Sequence, residues 1–319
     1  MSGGSGDPVS VAIPVRNGGA LLAETLAAVR SQRLDREVEL LVADSGSTDG
    51  SRALAERHGA VVIDVEPGSF SHGGTRRLLA QRASGARIAF LTQDSVPAGE
   101  RWLARLLEGF ELAERVGLVY GPYRARPDAS AMVRRELDAW FRSLSPDGSP
   151  RVTRGLPGPS DPDGIRRLFF TDANGCADRR ALEQVPFREI AYAEDQQLAR
   201  DMLAAGYATV YLPDAAVLHS HDYGSLDLFR RSFDEWRGLR EVHGIAAPLG
   251  PVRNGLAVQR QVRDDLGLLR REGAGPAALA GAAPASLVHH LLRAAGAALG
   301  SRAAALPPWL RRACSLERR

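Results

Sequence analysis

The chain has 319 residues, 44% of them hydrophobic, and a formal charge of only +3, enough apolar material for one large core or two small ones and too much for a disordered chain. All 41 basic residues are arginine and are interspersed with acids, with no clustered basic face or interleaved aromatics, which excludes a nucleic-acid partner. Cys176 and Cys314 lie too far apart to read as a zinc set or a redox pair, and no apolar run approaches the roughly 20 residues of a membrane-spanning helix.

Residues 1–8 carry no basic segment followed by an apolar one, so they read as a flexible leader rather than a signal peptide, and the expected compartment is cytoplasmic. From there four β-rich runs, Val9–Pro14, Val38–Ala43, Ala60–Val65 and Arg87–Thr92, alternate with helical patterns at about Leu21–Gln32, Gly50–His58 and Gly73–Ser84. Near-continuous apolar character in the second and fourth runs predicts strands covered on both faces, as in a parallel sheet wrapped by helices. A helix at Trp102–Arg115 and a short strand at Gly117–Tyr120 precede a stretch rich in Pro, Gly, Asp and Ser, Ser145–Gly164, read as a lid or a connector. Order resumes around Phe169–Asn174, with a helix from near Glu194, a strand at Ala208–Leu212 and helices at Leu226–His243 and Arg253–Arg271. In the tail, Ala285–Leu299 is weakly amphipathic, a pattern that fits packing on the protein itself better than peripheral contact with a membrane, though both stay open.

Ligands of parallel α/β sheets sit beyond the carboxyl ends of the strands. Three such ends are polar: Arg16-Asn17-Gly18-Gly19, Asp44-Ser-Gly-Ser47-Thr-Asp49-Gly50 and Thr92-Gln93-Asp94. A turn and a helix cap explain Ser47-Thr48-Asp49, but not Asp44 directly off its strand. Ser71-His-Gly-Gly-Thr-Arg76 opens the third helix, where free N–H groups, paired glycines and Arg76 suit a phosphate. His219-Ser-His221 reads equally well as imidazole ligands or as one buried and one solvated histidine at a strand end.

Over about residues 9–240 these motifs, in this order, resemble the inverting glycosyltransferases of family 2 and, through Phe70-Ser-His-Gly-Gly-Thr-Arg76 and Leu91-Thr-Gln-Asp94, most of all their bacterial rhamnosyltransferase branch. The resemblance implies a GT-A fold: a Rossmann-like, mostly parallel sheet flanked by helices, with a nucleotide-binding half at 9–120, an acceptor-binding half at 121–240 and a helical extension at 241–319. Ile13-Pro14-Val-Arg16-Asn17 is similar to the family's first nucleotide-binding loop and Asp44–Asp49 to its base- and ribose-binding segment. The implied donor-site residues are Pro14, Arg16, Asn17, Asp44, Ser47, Arg76, Gln93 and Asp94.

Phe90-Leu-Thr-Gln-Asp94 occupies the place of the family's metal-binding DXD motif, but keeps only its last acid. Asp94, with His219 and His221 as further donors, is the expected seat of a divalent cation, Mg²⁺ or, if an imidazole takes part, Mn²⁺. Inverting transfer needs one carboxylate to take the acceptor proton, and Ala193-Glu194-Asp195 matches the family's Glu-Asp motif, whose Asp, here Asp195, is the implied base. Asp172-Ala-Asn174-Gly-Cys176 is similar to the acceptor-side loop, which makes Asp172, Asn174 and Glu194 acceptor-site candidates. The implied partners are a nucleoside-diphosphate sugar, dTDP-rhamnose or a UDP-sugar, and a saccharide or lipid-linked acceptor in cell-surface glycan synthesis. Neither the Gln-x-x-Arg-Trp motif nor the membrane helices of processive synthases are present. Two rivals are a nucleotidyltransferase, which would open with a Gly-rich basic loop, and a nucleotide-sugar-binding protein without catalysis.

Overall fold

The structure is a computed structural model and describes residues 8–66, 68–158, 161 and 163–317; the expected leader, apart from Pro8, lies outside them. Two units are distinguished: residues up to Arg126 with Leu137–Ile190 and Glu194–His219, and Pro127–Glu136 with Ala191–Ala193 and the chain from Ser220 on.

The first unit begins with β1 (Val9–Val15), α1 (Gly19–Arg30), β2 (Val38–Asp44), α2 (Ser51–Arg57), β3 (Val61–Asp64), α3 (His72–Arg82) and β4 (Arg87–Leu91). These are the expected βα units, with boundaries moved by a residue or two. Both faces of β1 are covered, as its apolar run requires. Val9, Val11, Ile13 and Val15 join Leu22 and Leu26 of α1 on one side, while Ala12 joins Leu79 of α3 and Phe90 of β4 on the other.

There follow β5 (Val96–Pro97), α4 (Trp102–Glu108), β6 (Val116–Tyr120), β7 (Tyr123–Arg124), α5 (Ala131–Leu144), β8 (Arg151–Arg154), α6 (Gly164–Leu168), β9 (Asn174–Asp178), α7 (Arg179–Gln184), α8 (Glu194–Ala204), β10 (Ala208–Tyr211) and β11 (Val217–Leu218). The large sheet runs β3-β2-β1-β4-β9-β6-β10-β8. It is mostly parallel, but β9 lies antiparallel between β4 and β6, and β8 closes the edge antiparallel to β10. The Ser145–Gly164 stretch is thus not wholly loop, because Arg151–Arg154 pairs with β10. A second, three-stranded sheet, β5-β11-β7, was not expected from sequence.

The second unit is helical: α9 (Ser225–His243), α10 (Pro251–Arg271), α11 (Pro276–Gly300) and α12 (Pro308–Cys314). Gly244, at φ +72°, ends α9 in the left-handed conformation that glycine tolerates best. α11 packs closely on α9, since a methyl group at Gly296 or Gly300 would strike the backbone of Phe229 or Phe233. Buried Asp234 binds the chain terminus through Ser315 Oγ (2.8 Å) and the Leu316 N–H (2.7 Å). Another buried acid, Asp265 of α10, accepts from Ser286 Oγ at 2.6 Å and pairs with Arg135 and, at 2.7 Å, with His290. Burial alone would raise the Asp265 carboxyl, but these bonds outweigh it and bring its pKa down to about 2.

Candidate active site

Three loops at the carboxyl ends of β1, β2 and β4 are tied together by side-chain to backbone hydrogen bonds. The β1 loop turns sharply, with Asn17 at φ +50° and Gly19 at +53°, and its freed N–H groups find partners on the neighbouring loops. Arg16 N–H donates to Gln93 Oε1 (2.8 Å), Asn17 N–H to Ser47 Oγ (2.9 Å), Gly18 N–H to Ser51 Oγ (2.9 Å) and Gly19 N–H to Asp49 Oδ2 (3.0 Å). In return Asn17 Oδ1 accepts from the Thr48 N–H at 2.8 Å. Asp44 is nearly buried and shapes its own loop, accepting from Ser47 N–H (3.1 Å) and Ser47 Oγ (2.5 Å).

Of the expected donor-site residues, Arg16, Asn17, Asp44, Ser47 and Gln93 are therefore joined, through backbone or side chain, in the hydrogen bonds of these loops, and Pro14 lies in β1 just before them. Gln93 has a local task as well, since its side-chain oxygen receives a backbone N–H of the first loop. Ser51 and Asp49 belong to the same network, and sequence reasoning saw in Asp49 only a cap.

Asp94 follows immediately. The small sheet sets its surroundings, because β5 pairs antiparallel with β11, Leu218 facing Val96. That pairing brings the residue after β11, His219, back to the β4–β5 turn, with its Nδ1 3.5 Å from Asp94 Oδ1. His219 is held from two sides: its backbone N–H donates to Arg124 O at 2.9 Å, and Tyr123 meets its ring edge-on at 4.8 Å between ring centres. Tyr123 had no sequence signal beyond its place after Gly121-Pro122. His221 lies two residues on, in the second unit.

The third group departs from expectation. Arg76 is only 3% exposed, and its guanidinium lies between two carboxylates, Nε 2.6 Å from Asp172 Oδ2 and Nη1 3.0 Å from Glu194 Oε1. Such a buried arginine does not face a diphosphate, so it is corrected from phosphate contact to internal counter-charge. Burial opposes the Arg76 charge, but the two acids more than offset this and raise its pKa. The Asp172 carboxyl is held well above the usual range by burial, with Glu194 and Asp195 adding to it against the pull of Arg76.

The glycines before Arg76 also have an internal reason. Ser71 Oγ caps α3 by accepting the Gly74 N–H at 3.1 Å, and a methyl group at Gly73 would collide with the Arg188 carbonyl. The α3 start is therefore packed against protein rather than open to an anion. Asp172 and Glu194, at 4% and 6% exposure, are likewise enclosed. So is Asn174, whose amide accepts from Trp102 Nε1 (2.8 Å) and donates to Pro122 O (3.0 Å) and Ala215 O (2.8 Å). All three side chains are thus engaged by partners within the protein.

Asp195 is different. It is partly accessible, stands in the first turn of α8 and follows Ala193, whose φ of +64° is unusual for a residue with a side chain. Backbone strain of this kind persists where surrounding contacts impose it. Here Glu194 is anchored to Arg76, and Asp195 is carried by that anchored turn.

The family model described as Glycosyl transferase family 2 matches residues 10–175. The O-antigen chain rhamnosyltransferase RfbN of Salmonella typhimurium is 30% identical over 230 residues, which cover 71% of this chain and 70% of that protein. Among solved structures, the mannosyltransferase PcManGT from Pyrobaculum calidifontis, in complex with GDP-Man and Mn²⁺, matches with a TM-score of 0.58 at 17% identity, covering 93% of this chain and 86% of that one. Glucosyl-3-phosphoglycerate synthase from Mycobacterium tuberculosis, in complex with Mn²⁺, UDP-glucose and phosphoglyceric acid, matches with a TM-score of 0.52 at 21% identity, over 75% and 81% of the two chains. At these identities the two structures speak for the fold alone.

Proposed function

The chain belongs to glycosyl transferase family 2, and we propose that it moves a single sugar, L-rhamnose from dTDP-rhamnose before any UDP-sugar, onto a hydroxyl of a cell-surface saccharide with inversion at the anomeric carbon. The observation that carries this reading is how the strand-end loops and the α8 start are fixed. Loops from three strand ends are cross-tied into one wall, and the Arg76 clamp fixes the helix turn that bears an accessible carboxylate.

In this reading the β1 and β2 loops hold the nucleoside, and Asp195 accepts the proton of the acceptor hydroxyl as its oxygen bonds to the anomeric carbon and the nucleoside diphosphate departs. Asp172, Glu194 and Arg76 position that carboxylate. Asp94 and His219 offer a carboxylate oxygen and an imidazole nitrogen at 3.5 Å, a donor pair that fits Mn²⁺ better than Mg²⁺. When bound, the cation neutralises charge on the leaving diphosphate. The name of the rhamnosyltransferase relative supports the sugar, and Mn²⁺ in the two related folds supports the cation.

For a lipid-linked acceptor the enzyme would work at a membrane surface without spanning it, since among the described residues no helix is long and apolar enough to cross. The test is release of nucleoside diphosphate from dTDP-rhamnose, UDP-sugars and GDP-sugars, with and without Mg²⁺ or Mn²⁺ and with saccharide extracts as acceptor. Metal-dependent release from dTDP-rhamnose is expected. Release from a UDP- or GDP-sugar alone overturns the sugar, and binding without release from any donor overturns the transferase reading.

A further inference from the structure

The charge of the chain is unevenly distributed. Residues 245–319 contain eleven arginines and four acids, a net +7, whereas the whole chain carries +3. The same segment holds an apolar surface that no element among the described residues covers. One side of α11 is buried through Ser286, His290, Gly296, Ala297 and Gly300. The opposite side, Gly281, Pro284, Val288, Leu291, Ala295 and Leu299, is exposed at spacings of three and four residues and contains no ionisable side chain.

α10 packs beside α11 and continues this character at its start, where Val252 is 75% exposed and Leu256 62%. The two helices are arms of a hairpin turning at 272–275. Leu256 stands sixteen residues before Glu272 and Leu291 sixteen after Gly275, which puts them level, about 24 Å from the turn at 1.5 Å per residue. Exposed Arg253, Arg260 and Arg263 are distributed along the same arm.

We infer that the α10–α11 hairpin docks on a bilayer surface bearing anionic phospholipid, its apolar side entering the headgroup boundary and its arginines pairing with lipid phosphates. An exposed apolar surface rimmed by charge is the form of an interaction site, and the charge selects the occupant. A second copy would meet this surface with the same arginine excess in a self-complementary dimer, whereas anionic headgroups neutralise it, and guanidinium groups form paired hydrogen bonds to phosphate. The arrangement of exposed Leu and Val beside Arg is that of a helix lying in the interface plane. The inference stands on the hairpin alone and does not depend on which sugar is transferred.

The test is co-sedimentation of the full chain with vesicles of phosphatidylcholine alone and of phosphatidylcholine mixed with phosphatidylglycerol, together with sedimentation velocity of the free protein. The expected result is binding to the mixed vesicles only, lost in about 1 M salt, where the Debye length is about 3 Å. Leu256→Glu with Leu291→Glu, and separately Arg260→Gln with Arg263→Gln, should each weaken it by roughly tenfold or more, with unchanged thermal melting because all four side chains are exposed. Equal binding to both vesicles, failure to bind either, or a soluble dimer that Leu291→Glu dissociates would overturn the inference.

Discussion

Arg76 separates two roles that the sequence alone allowed to be confused. If it contacted the donor diphosphate, replacing it with Met would weaken donor binding and leave stability almost untouched. The structure instead places it between Asp172 and Glu194 at 3% exposure. Arg76→Met leaves two carboxylates enclosed without their counter-charge, a change that costs about 3–5 kcal/mol in buried pairs. For a unit of this size each kcal/mol moves the melting midpoint by about 2–4 °C, so a fall of roughly 10 °C is expected at neutral pH. The sign of the pH dependence follows from the same contacts. The Asp172 carboxyl is already held above its usual range by burial, against the pull of Arg76; without the guanidinium it rises further, so the folded variant takes up a proton there before the unfolded chain does as the pH falls. The deficit against the parent protein should therefore be largest above neutrality and shrink towards pH 5, and adding Asp172→Asn and Glu194→Gln should recover much of it. Calorimetry at several pH values reads this directly. A melting point within a degree or two of the parent, or a deficit independent of pH, would refute the counter-charge role.

Other outcomes follow from single contacts. Gly73→Ala pushes a methyl group into the Arg188 carbonyl, and should cost about 1–3 kcal/mol in denaturant unfolding. Asp265, with its pKa of about 2, contributes stability that is present above the ordinary carboxylate range and is lost as the pH falls through about 2. Asp265→Asn should therefore be less stable than the parent by about 1–2 kcal/mol at neutral pH, after allowance for screening, with the two acid-unfolding curves converging near pH 2. Asp94→Asn or His219→Ala should raise the Mn²⁺ concentration for half-maximal activity at least about tenfold, the lower end of what even outer residues of metal sites contribute. An unchanged metal titration would remove both from the cation site.

The βα units of the first ninety residues were legible because their apolar runs differ sharply from the polar loops between them, and the same contrast marked out the strand-end loops that hydrogen bonds join through Arg16, Asn17, Ser47 and Gln93. Short strands were not legible. Val96–Pro97, Tyr123–Arg124 and Val217–Leu218 are two residues each, too brief for any periodicity, yet their pairing is what returns His219 to Asp94. β9 was hidden for another reason: Asn174-Gly-Cys-Ala-Asp178 has the composition of a loop, and becomes a strand because β4 and β6 hold it from both sides. The errors at Arg76 and Asn174 share a cause, since a charged or amide side chain reads as ligand-facing until burial shows that its partners are internal.

The most direct measurement is single-turnover sugar transfer by Asp195→Asn alongside its equilibrium affinity for the donor. The account predicts donor affinity within about twofold of the parent and transfer slower by roughly 10²–10⁴-fold. Transfer near the parent rate with donor normally bound would contradict it, and would remove Asp195 as the base.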